Sequence, residues 1–192
     1  MDDEQPDGRP PLRAQQRKER RVLPPLAEPA LRDLALAYAA RYATTRARLL
    51  RYLARKLQER GWAGDAPPDP AALADRLVEL RYVDDAAFAH MKGRAMASRG
   101  LGRQRVEAQL AAAGVAEGDR GDAPNEAQAM ATAVNFAQRK RLGPFARVPA
   151  DDPKARQKQF AAMLRAGHAP AIARRVLSAR SVAEAEALVV ID

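Results

Sequence analysis

Apolar residues in most of this chain recur every three or four positions, the spacing that places side chains on one face of an α-helix. In the first such stretch, which predicts a helix over 29–43, the apolar positions are Leu31, Leu34, Tyr38 and Tyr42. Similar stretches, separated by turns that contain glycine, proline or polar residues, continue along the chain. The pattern predicts an all-α fold.

The next stretch, TTRARLLRYLARKLQERG over 44–61, contains signals for both ends of a helix. Thr44 or Thr45 can accept a hydrogen bond from a free backbone amide of the first turn. Gly61 can adopt the left-handed conformation in which many helices end. Between these signals lie the apolar positions Leu49, Leu50, Leu53 and Leu57.

Aspartates precede three of the later apolar stretches, in DP at 69–70, DD at 84–85 and DDP at 151–153. A carboxylate placed there can accept hydrogen bonds from free amides and meets the positive end of the helix. Adjacent carboxylates also occur in two-metal nucleases, but such sites need further ligands, and the sequence offers no recognisable set. Helix capping is therefore the predicted role of both aspartate pairs.

Glycines that end predicted helices recur at a constant interval. Gly61, Gly114 and Gly167 follow one another 53 residues apart, and an apolar residue stands four positions before each. Repeats of about this length usually stack, because each unit alone buries too little apolar surface. The spacing predicts tandem three-helix modules that form an elongated, curved body.

The predicted modules cover residues 28–83, 84–124 and 125–192. In the second module, VAEGDRGDAPN over 115–125 has Val115 as its one sizeable apolar residue, so the last helix is expected to be short or degenerate. Residues 1–27 are rich in proline and arginine and contain few large apolar residues. They are predicted to form a disordered tail.

Charge and cysteine content narrow the functional classes. The 192 residues include 33 Lys and Arg against 24 Asp and Glu, and the net charge of +9 favours a polyanionic partner such as nucleic acid. The absence of cysteine excludes disulfides, thiolate nucleophiles and Cys-based zinc sites. No apolar run has the length of a membrane span and the N-terminus lacks a secretion signal, so we expect a soluble, cytoplasmic protein.

Basic residues are concentrated in every predicted module. Arg48, Arg51 and Arg55 lie at helical spacing opposite the leucines of the second helix and are expected to form an external stripe. The other clusters are Lys92, Arg94, Arg99, Arg103 and Arg105, and then Arg139, Lys140 and Arg141 together with Lys154, Arg156 and Lys158. One such residue usually only solvates a helix face, but acid-poor clusters in each module predict a track for a phosphate backbone or for a protein filament built on one. Because aromatic residues make up only 5%, stacking of bases on rings is not expected to be the main binding mode.

Two other functions fit parts of the sequence. An autonomous DNA-binding protein of the helix-turn-helix type would need a recognition helix with base-reading side chains and, in general, a dimer surface. A metal-dependent nuclease would have to use the aspartates at 84–85 and 151–152. His90 and His168 have no Ser, Cys or Asp partner at a motif spacing, so packing or surface roles are the simpler interpretation. We expect no catalytic residue, no cofactor and no metal.

Four segments occur in a characteristic order across residues 31–180: RYVDDAAFA, RGLGRQRVEAQLAAAGV, FAQRKRLGPF and MLRAGHAPAIARRVL. With them the sequence resembles the RecX family, bacterial regulatory proteins of the RecA recombinase. The resemblance implies an all-α protein of tandem three-helix repeats that binds RecA filaments on single-stranded DNA and usually restrains their ATPase, strand-exchange and coprotease activities. It also implies a non-enzymatic role in DNA repair, recombination and the SOS response. We expect a monomer that binds single-stranded DNA without sequence preference.

Two positions depart from the family pattern. Arg81 stands where the family commonly has glycine, before the aromatic residue and the aspartate pair. His168 stands where an aromatic residue commonly follows the glycine that ends a helix. Local turn geometry and packing are expected to differ from the family at these two positions.

Overall fold

The structure, a computed structural model, describes residues 23–148, 150 and 152–189. The regular secondary structure of these residues is helical, and their one β-bridge is the isolated pair Leu26 and Trp62. The all-α fold predicted from the sequence is confirmed. The helices are α1 (Glu28–Arg41), α2 (Arg46–Arg60), α3 (Pro70–Glu79), α4 (Asp85–Ala97), α5 (Arg103–Ala113), α6 (Glu126–Lys140), α7 (Pro153–Arg165), α8 (Pro170–Ser178) and α9 (Val182–Ala187), with 3-10 turns η1 (Glu117–Asp119) and η2 (Gly143–Phe145).

Polar caps begin several helices where the sequence predicts them. The side chains of Thr45, Asp69, Asp84 and Asp152 accept hydrogen bonds from backbone amides in the first turns of α2, α3, α4 and α7. Each cap satisfies a donor that has no partner within its own helix. Of the two candidate pairs at 44–45 and 84–85, the structure therefore uses Thr45 and Asp84.

Glycines with positive φ stand at the C-terminal ends of α2, α5 and α7. The φ angles are 76° at Gly61, 82° at Gly114 and 92° at Gly167. Gly114 is left-handed as predicted, whereas the ψ of −178° at Gly61 takes it out of the left-handed helical region. The difference arises because the chain after Gly61 extends to pair with Leu26: the Leu26 amide donates to the Gly61 carbonyl, and the Ala63 amide donates to the Leu26 carbonyl.

Three hydrophobic clusters divide the helices into groups. The first group, α1–α3, surrounds a core that includes Leu49, Leu53 and Leu77. The second group, α4, α5 and η1, buries a smaller set: Phe88, Ala89, Leu110, Ala113 and Val115. The third group, α6–α9 with η2, packs around Met130, Phe136, Met163 and Val176. The second core is small because a 3-10 turn, rather than a third helix, lies between α5 and α6.

Leu26 corrects the predicted extent of the N-terminal tail. It is fully buried in the first core, and its backbone pairs with the end of α2. The chain is therefore packed before residue 28, a fact that an isolated leucine between prolines and Glu28 gives no period to reveal. Residues 1–22 of the predicted tail lie outside the described residues.

The first and second groups meet at the N-terminus of α2, in what we name the first joint. The Thr45 hydroxyl donates to the Ala113 carbonyl at 2.6 Å. The Arg46 amide donates to the Asp85 carboxylate at 2.8 Å, so that Asp85 links α4 to α2. These hydrogen bonds join positions far apart in sequence and set the position of the second group on the first.

The second and third groups meet at a second joint, where two turns pack backbone against backbone. The Gly102 amide donates to the Ala166 carbonyl at 2.8 Å, and the Gln104 amide donates to the Gly167 carbonyl at 3.2 Å. A Cβ atom at Gly102 would overlap the backbone of Gly167, so only glycine permits this approach. Among the described residues, no helix is both long enough and apolar enough to cross a membrane.

Candidate functional site

Arg48 and Arg51 lie at the first joint. The Arg48 guanidinium is 5.0 Å from the centre of the Phe88 ring, and Nη2 of Arg51 donates to the Ala112 carbonyl at 3.4 Å. Arg51 and Arg55 are exposed, as the predicted external stripe requires, whereas Arg48 is half-buried against α4 and does not fit that prediction. The reason is tertiary: α4 and α5 contact the face of α2 opposite its leucines, and helical periodicity marks that face only as polar.

Arg55 and Arg103 have carboxylate partners on their own helices. Nε of Arg55 lies 3.6 Å from the Glu59 carboxylate, and Nε of Arg103 donates to Glu107. Exposed pairs of this kind stabilise a helix by only a few tenths of a kcal/mol, so a phosphate can compete with the carboxylate at little cost. The two arginines remain accessible to a polyanion.

Four of the predicted cations follow a path across both joints. Arg48 of α2 covers Phe88 of α4, and Lys92 lies one helical turn after Phe88 on the same face. At the other end of α4, Arg99 follows Ser98, whose carbonyl accepts a hydrogen bond of 3.3 Å from the Asn135 amide group of α6.

Arg139 completes the path, one turn after Asn135 on α6. We name Arg48, Lys92, Arg99 and Arg139 the basic line. Within the described part of the chain, no carboxylate forms a salt bridge with any of the four. Their charges are therefore available to a ligand that spans all three helical groups.

Arg94 and Arg103 lie elsewhere, beside a groove of about 900 Å³ between the second and third groups. The groove is lined largely by apolar residues of α4, α5 and α6, and by the loop that follows η1. It contains carboxylates as well, including Glu107 and Asp119, so its charge is mixed. This groove does not extend the basic line.

The remaining predicted cations are exposed at helix ends. Arg105 lies in the first turn of α5, with its backbone against Gly167. Lys140 is the last residue of α6, and Arg141 follows in the left-handed conformation with a φ of 56°. Lys140 and Arg141 continue the positive charge beyond Arg139.

The candidate metal ligands have structural roles. The Ala87 amide and the Arg81 guanidinium, which both donate to the Asp84 carboxylate, hold the pKa of that carboxyl below its usual range. Burial raises the pKa of Asp85, although the Arg46 amide opposes the shift. Among the described residues, which exclude Asp151, no group of three or more His, Asp or Glu side chains could hold a metal ion.

The two histidines occupy different environments. Nε2 of His168 lies 3.0 Å from the Gly100 carbonyl, and its ring is tilted against Phe136 with centroids 5.5 Å apart. Burial lowers the pKa of His168. It therefore packs the second joint as a neutral side chain, whereas His90 is exposed beside the groove.

The predicted set left out two cations that the structure places on tyrosine rings of the α1–α2 hairpin. Arg41 lies 5.5 Å over Tyr42, and Lys56 lies 5.9 Å over Tyr52. The signal in the sequence is weak, because the tyrosines come from two helices whose pairing only the fold establishes. The low overall content of aromatic residues gave no indication that these rings lie close together.

The amino-acid sequence of this chain is similar to those of several known proteins. A Regulatory protein RecX from Myxococcus xanthus (strain DK1622) is 31% identical over 156 residues, which cover 77% of this chain and 83% of the relative. The Regulatory proteins RecX of Mycobacterium sp. strains JLS and KMS are each 28% identical over 172 residues, 84% of this chain and 90% of theirs. No protein-family model and no solved structure matches the chain significantly. Since the similarity to the Myxococcus protein extends over most of both sequences, the chain belongs to the RecX family of regulatory proteins.

Proposed function

We propose that this chain binds RecA filaments on single-stranded DNA and restrains their ATPase, strand-exchange and coprotease activities. Membership of the RecX family supports the regulatory role. The observation that carries the binding role is the basic line, in which cations of α2, α4 and α6 follow one another across both joints and form no salt bridge with a carboxylate of the described residues.

A line of this kind fits a phosphate backbone for a physical reason. Each cation that neutralises a phosphate releases a condensed counterion, and this contribution does not depend on base sequence. A ligand that follows the line contacts all three helical groups at once. The binding surface thus consists of positions that only the assembled protein brings together.

This function assigns the chain a cellular role. The chain acts in DNA repair, recombination and the SOS response, as a cytoplasmic, non-enzymatic monomer. The protein contacts the phosphate backbone of the single-stranded DNA and also the RecA subunits that coat it.

Steady-state ATP hydrolysis by RecA on single-stranded DNA, measured with increasing amounts of this protein, tests the proposal. The informative variant reverses Lys92, Arg99 and Arg139 to glutamate and leaves Arg48 in place, because Arg48 supports the first joint. Its matched control reverses Lys154, Lys158 and Arg165 of α7, which are exposed and make the same change in net charge.

Substoichiometric wild-type protein and the α7 control should suppress hydrolysis, and the basic-line variant should not. If both variants lose suppression equally, net charge rather than the basic line is responsible. If wild-type protein leaves hydrolysis unchanged but binds particular duplex sequences without RecA, the helix-turn-helix alternative replaces the proposal.

A further inference from the structure

Three of the chain's four tyrosines are gathered on the hairpin of α1 and α2. The rings of Tyr38 and Tyr52 are stacked, with centroids 4.2 Å apart and an interplanar angle of 13°. Tyr42 continues the group, with its ring centroid 5.3 Å from that of Tyr38 and tilted by 52°. We name these three residues the tyrosine cluster.

Cations surround the tyrosine cluster. The guanidinium of Arg41 lies 5.5 Å from the centre of the Tyr42 ring, that of Arg55 lies 5.7 Å from Tyr52, and Nζ of Lys56 lies 5.9 Å from Tyr52. Glu59 contacts both Arg55 and Lys56, at 3.6 Å and 2.6 Å. Arg41 has no carboxylate partner among the described residues, so the cluster keeps an excess of positive charge.

Packing of the first core explains the positions of two of the three rings, but it does not explain the third. Tyr38 and Tyr52 are half-buried against the first core and hold the hairpin together. Tyr42 is 49% exposed, and its contribution to the end of α1 is a hydrogen bond from its backbone amide to the Tyr38 carbonyl. Its side chain is not needed for that bond. An exposed ring between cations is the usual composition of a surface on which bases stack.

We propose that the tyrosine cluster binds unpaired bases of single-stranded nucleic acid, with a base stacked on Tyr42 and the flanking phosphates on Arg41, Arg55 and Lys56. The proposal rests on the proposed function in assigning single-stranded DNA as a ligand, and it adds a site for bases beside the basic line. Duplex DNA keeps its bases stacked on each other, so this site discriminates against it. The low content of aromatic residues in the whole chain does not argue against the site, because the fold brings three of the four tyrosines together.

The test is direct binding by the full chain without RecA, measured by fluorescence anisotropy of a labelled 20-nucleotide oligothymidylate. An oligonucleotide of the same length with abasic sites carries the same charge and lacks the stacking faces. The variants are Tyr42→Ala and Tyr42→Phe. The matched control is Tyr82→Ala, since Tyr82 is 59% exposed and lies outside the cluster, on the turn between α3 and α4.

Wild-type protein should bind oligothymidylate about tenfold more tightly than the abasic strand, as expected when one base stacks on an aromatic ring. Tyr42→Ala should remove that preference, whereas Tyr42→Phe and Tyr82→Ala should keep it. Equal binding of the abasic strand, or equal losses in Tyr42→Ala and Tyr82→Ala, would overturn the proposal. So would equal binding of a duplex, or displacement of the oligonucleotide by a polyglutamate peptide at the same charge concentration.

The result separates this site from the regulatory function. If the preference for bases depends on Tyr42 while RecA hydrolysis is unaffected by the protein, the proposed function fails and the base site stands. If suppression of hydrolysis depends on the basic line and the abasic strand binds as well as oligothymidylate, the regulatory function stands and the base site fails.

Discussion

The guanidinium of Arg48 lies 5.0 Å from the centre of the Phe88 ring, across the first joint of the molecule. Phe88 is the largest side chain of the second core and is only 6% exposed. A cation over an aromatic face is attracted by the negative charge density of the ring. Arg48 therefore both covers the core of one helical group and carries charge at the start of the basic line.

Replacing Arg48 by glutamate should destabilise the protein. The substitution places negative charge over the ring face and uncovers Phe88, and we expect the free energy of unfolding to fall by about 1 to 2 kcal/mol. Urea denaturation followed by circular dichroism measures the change. Arg139→Glu, on the exposed surface of α6, is the control and should change stability by less than about 0.5 kcal/mol. Equal stabilities of the two variants would contradict a structural role for Arg48.

His168 should make stability depend on pH. Burial disfavours the imidazolium and lowers the pKa of His168 in the folded protein below its ordinary value of 6.5, so the unfolded chain binds the proton first as pH falls. The stabilisation is fully present above about pH 6.5 and decreases as pH falls below that value. Urea titrations between pH 7.5 and 5 should show this loss in the wild type and a smaller loss in His168→Phe.

His90→Gln provides the control for that measurement, because His90 is exposed. It should keep the wild-type pH dependence. If removal of His90 rather than of His168 flattens the profile, the buried histidine is not the responsible group.

Arg81 has a φ of 60°, a conformation that costs a side-chain-bearing residue roughly 1 kcal/mol and costs glycine little. Arg81→Gly should therefore be more stable than Arg81→Ala by about 1 kcal/mol, although both variants lose the same exposed ion pair with Asp84. Thermal unfolding of the two variants measures the difference. An alanine variant as stable as the glycine variant would show that the turn relaxes and stores no strain.

The close approach at the second joint should make Gly102 irreplaceable. A Cβ atom there overlaps the backbone of Gly167, and backbone can move only by separating the two turns. Gly102→Ala should lower the free energy of unfolding by about 2 kcal/mol or more, as measured by urea denaturation. The control Gly118→Ala meets no atom within 4 Å and should be close to neutral. Similar stabilities of the two variants would mean that the joint is looser than the structure shows.

Local signals predicted much of the fold. The aspartates and Thr45 cap helices because their side-chain oxygens reach amides two or three residues further on, and the glycines at 61, 114 and 167 adopt positive φ at helix ends. Cap and helix-end interactions of this kind involve residues within one turn of each other. A pattern along the chain is sufficient to predict them.

Charge patterning was less informative about the candidate site. Most of the basic residues that it grouped are exposed, but it placed the half-buried Arg48 with Arg51 and Arg55 and gave no indication that Arg48 packs on Phe88, one turn before Lys92. Helical periodicity assigns a residue to a face of its own helix and contains nothing about the helix that packs against that face. The same limit concealed the tyrosine cluster, whose rings come from two helices.

The sequence alone determined the all-α fold, the positions of most helix boundaries, the excess of positive charge and the resemblance to the RecX family. Only the tertiary structure decided which cations form the basic line, why Leu26 is buried, and how His168 packs at the second joint. The division has a physical cause: helix formation and capping depend on neighbours within about one turn, whereas the joints depend on contacts such as that between Gly100 and His168, which are 68 residues apart.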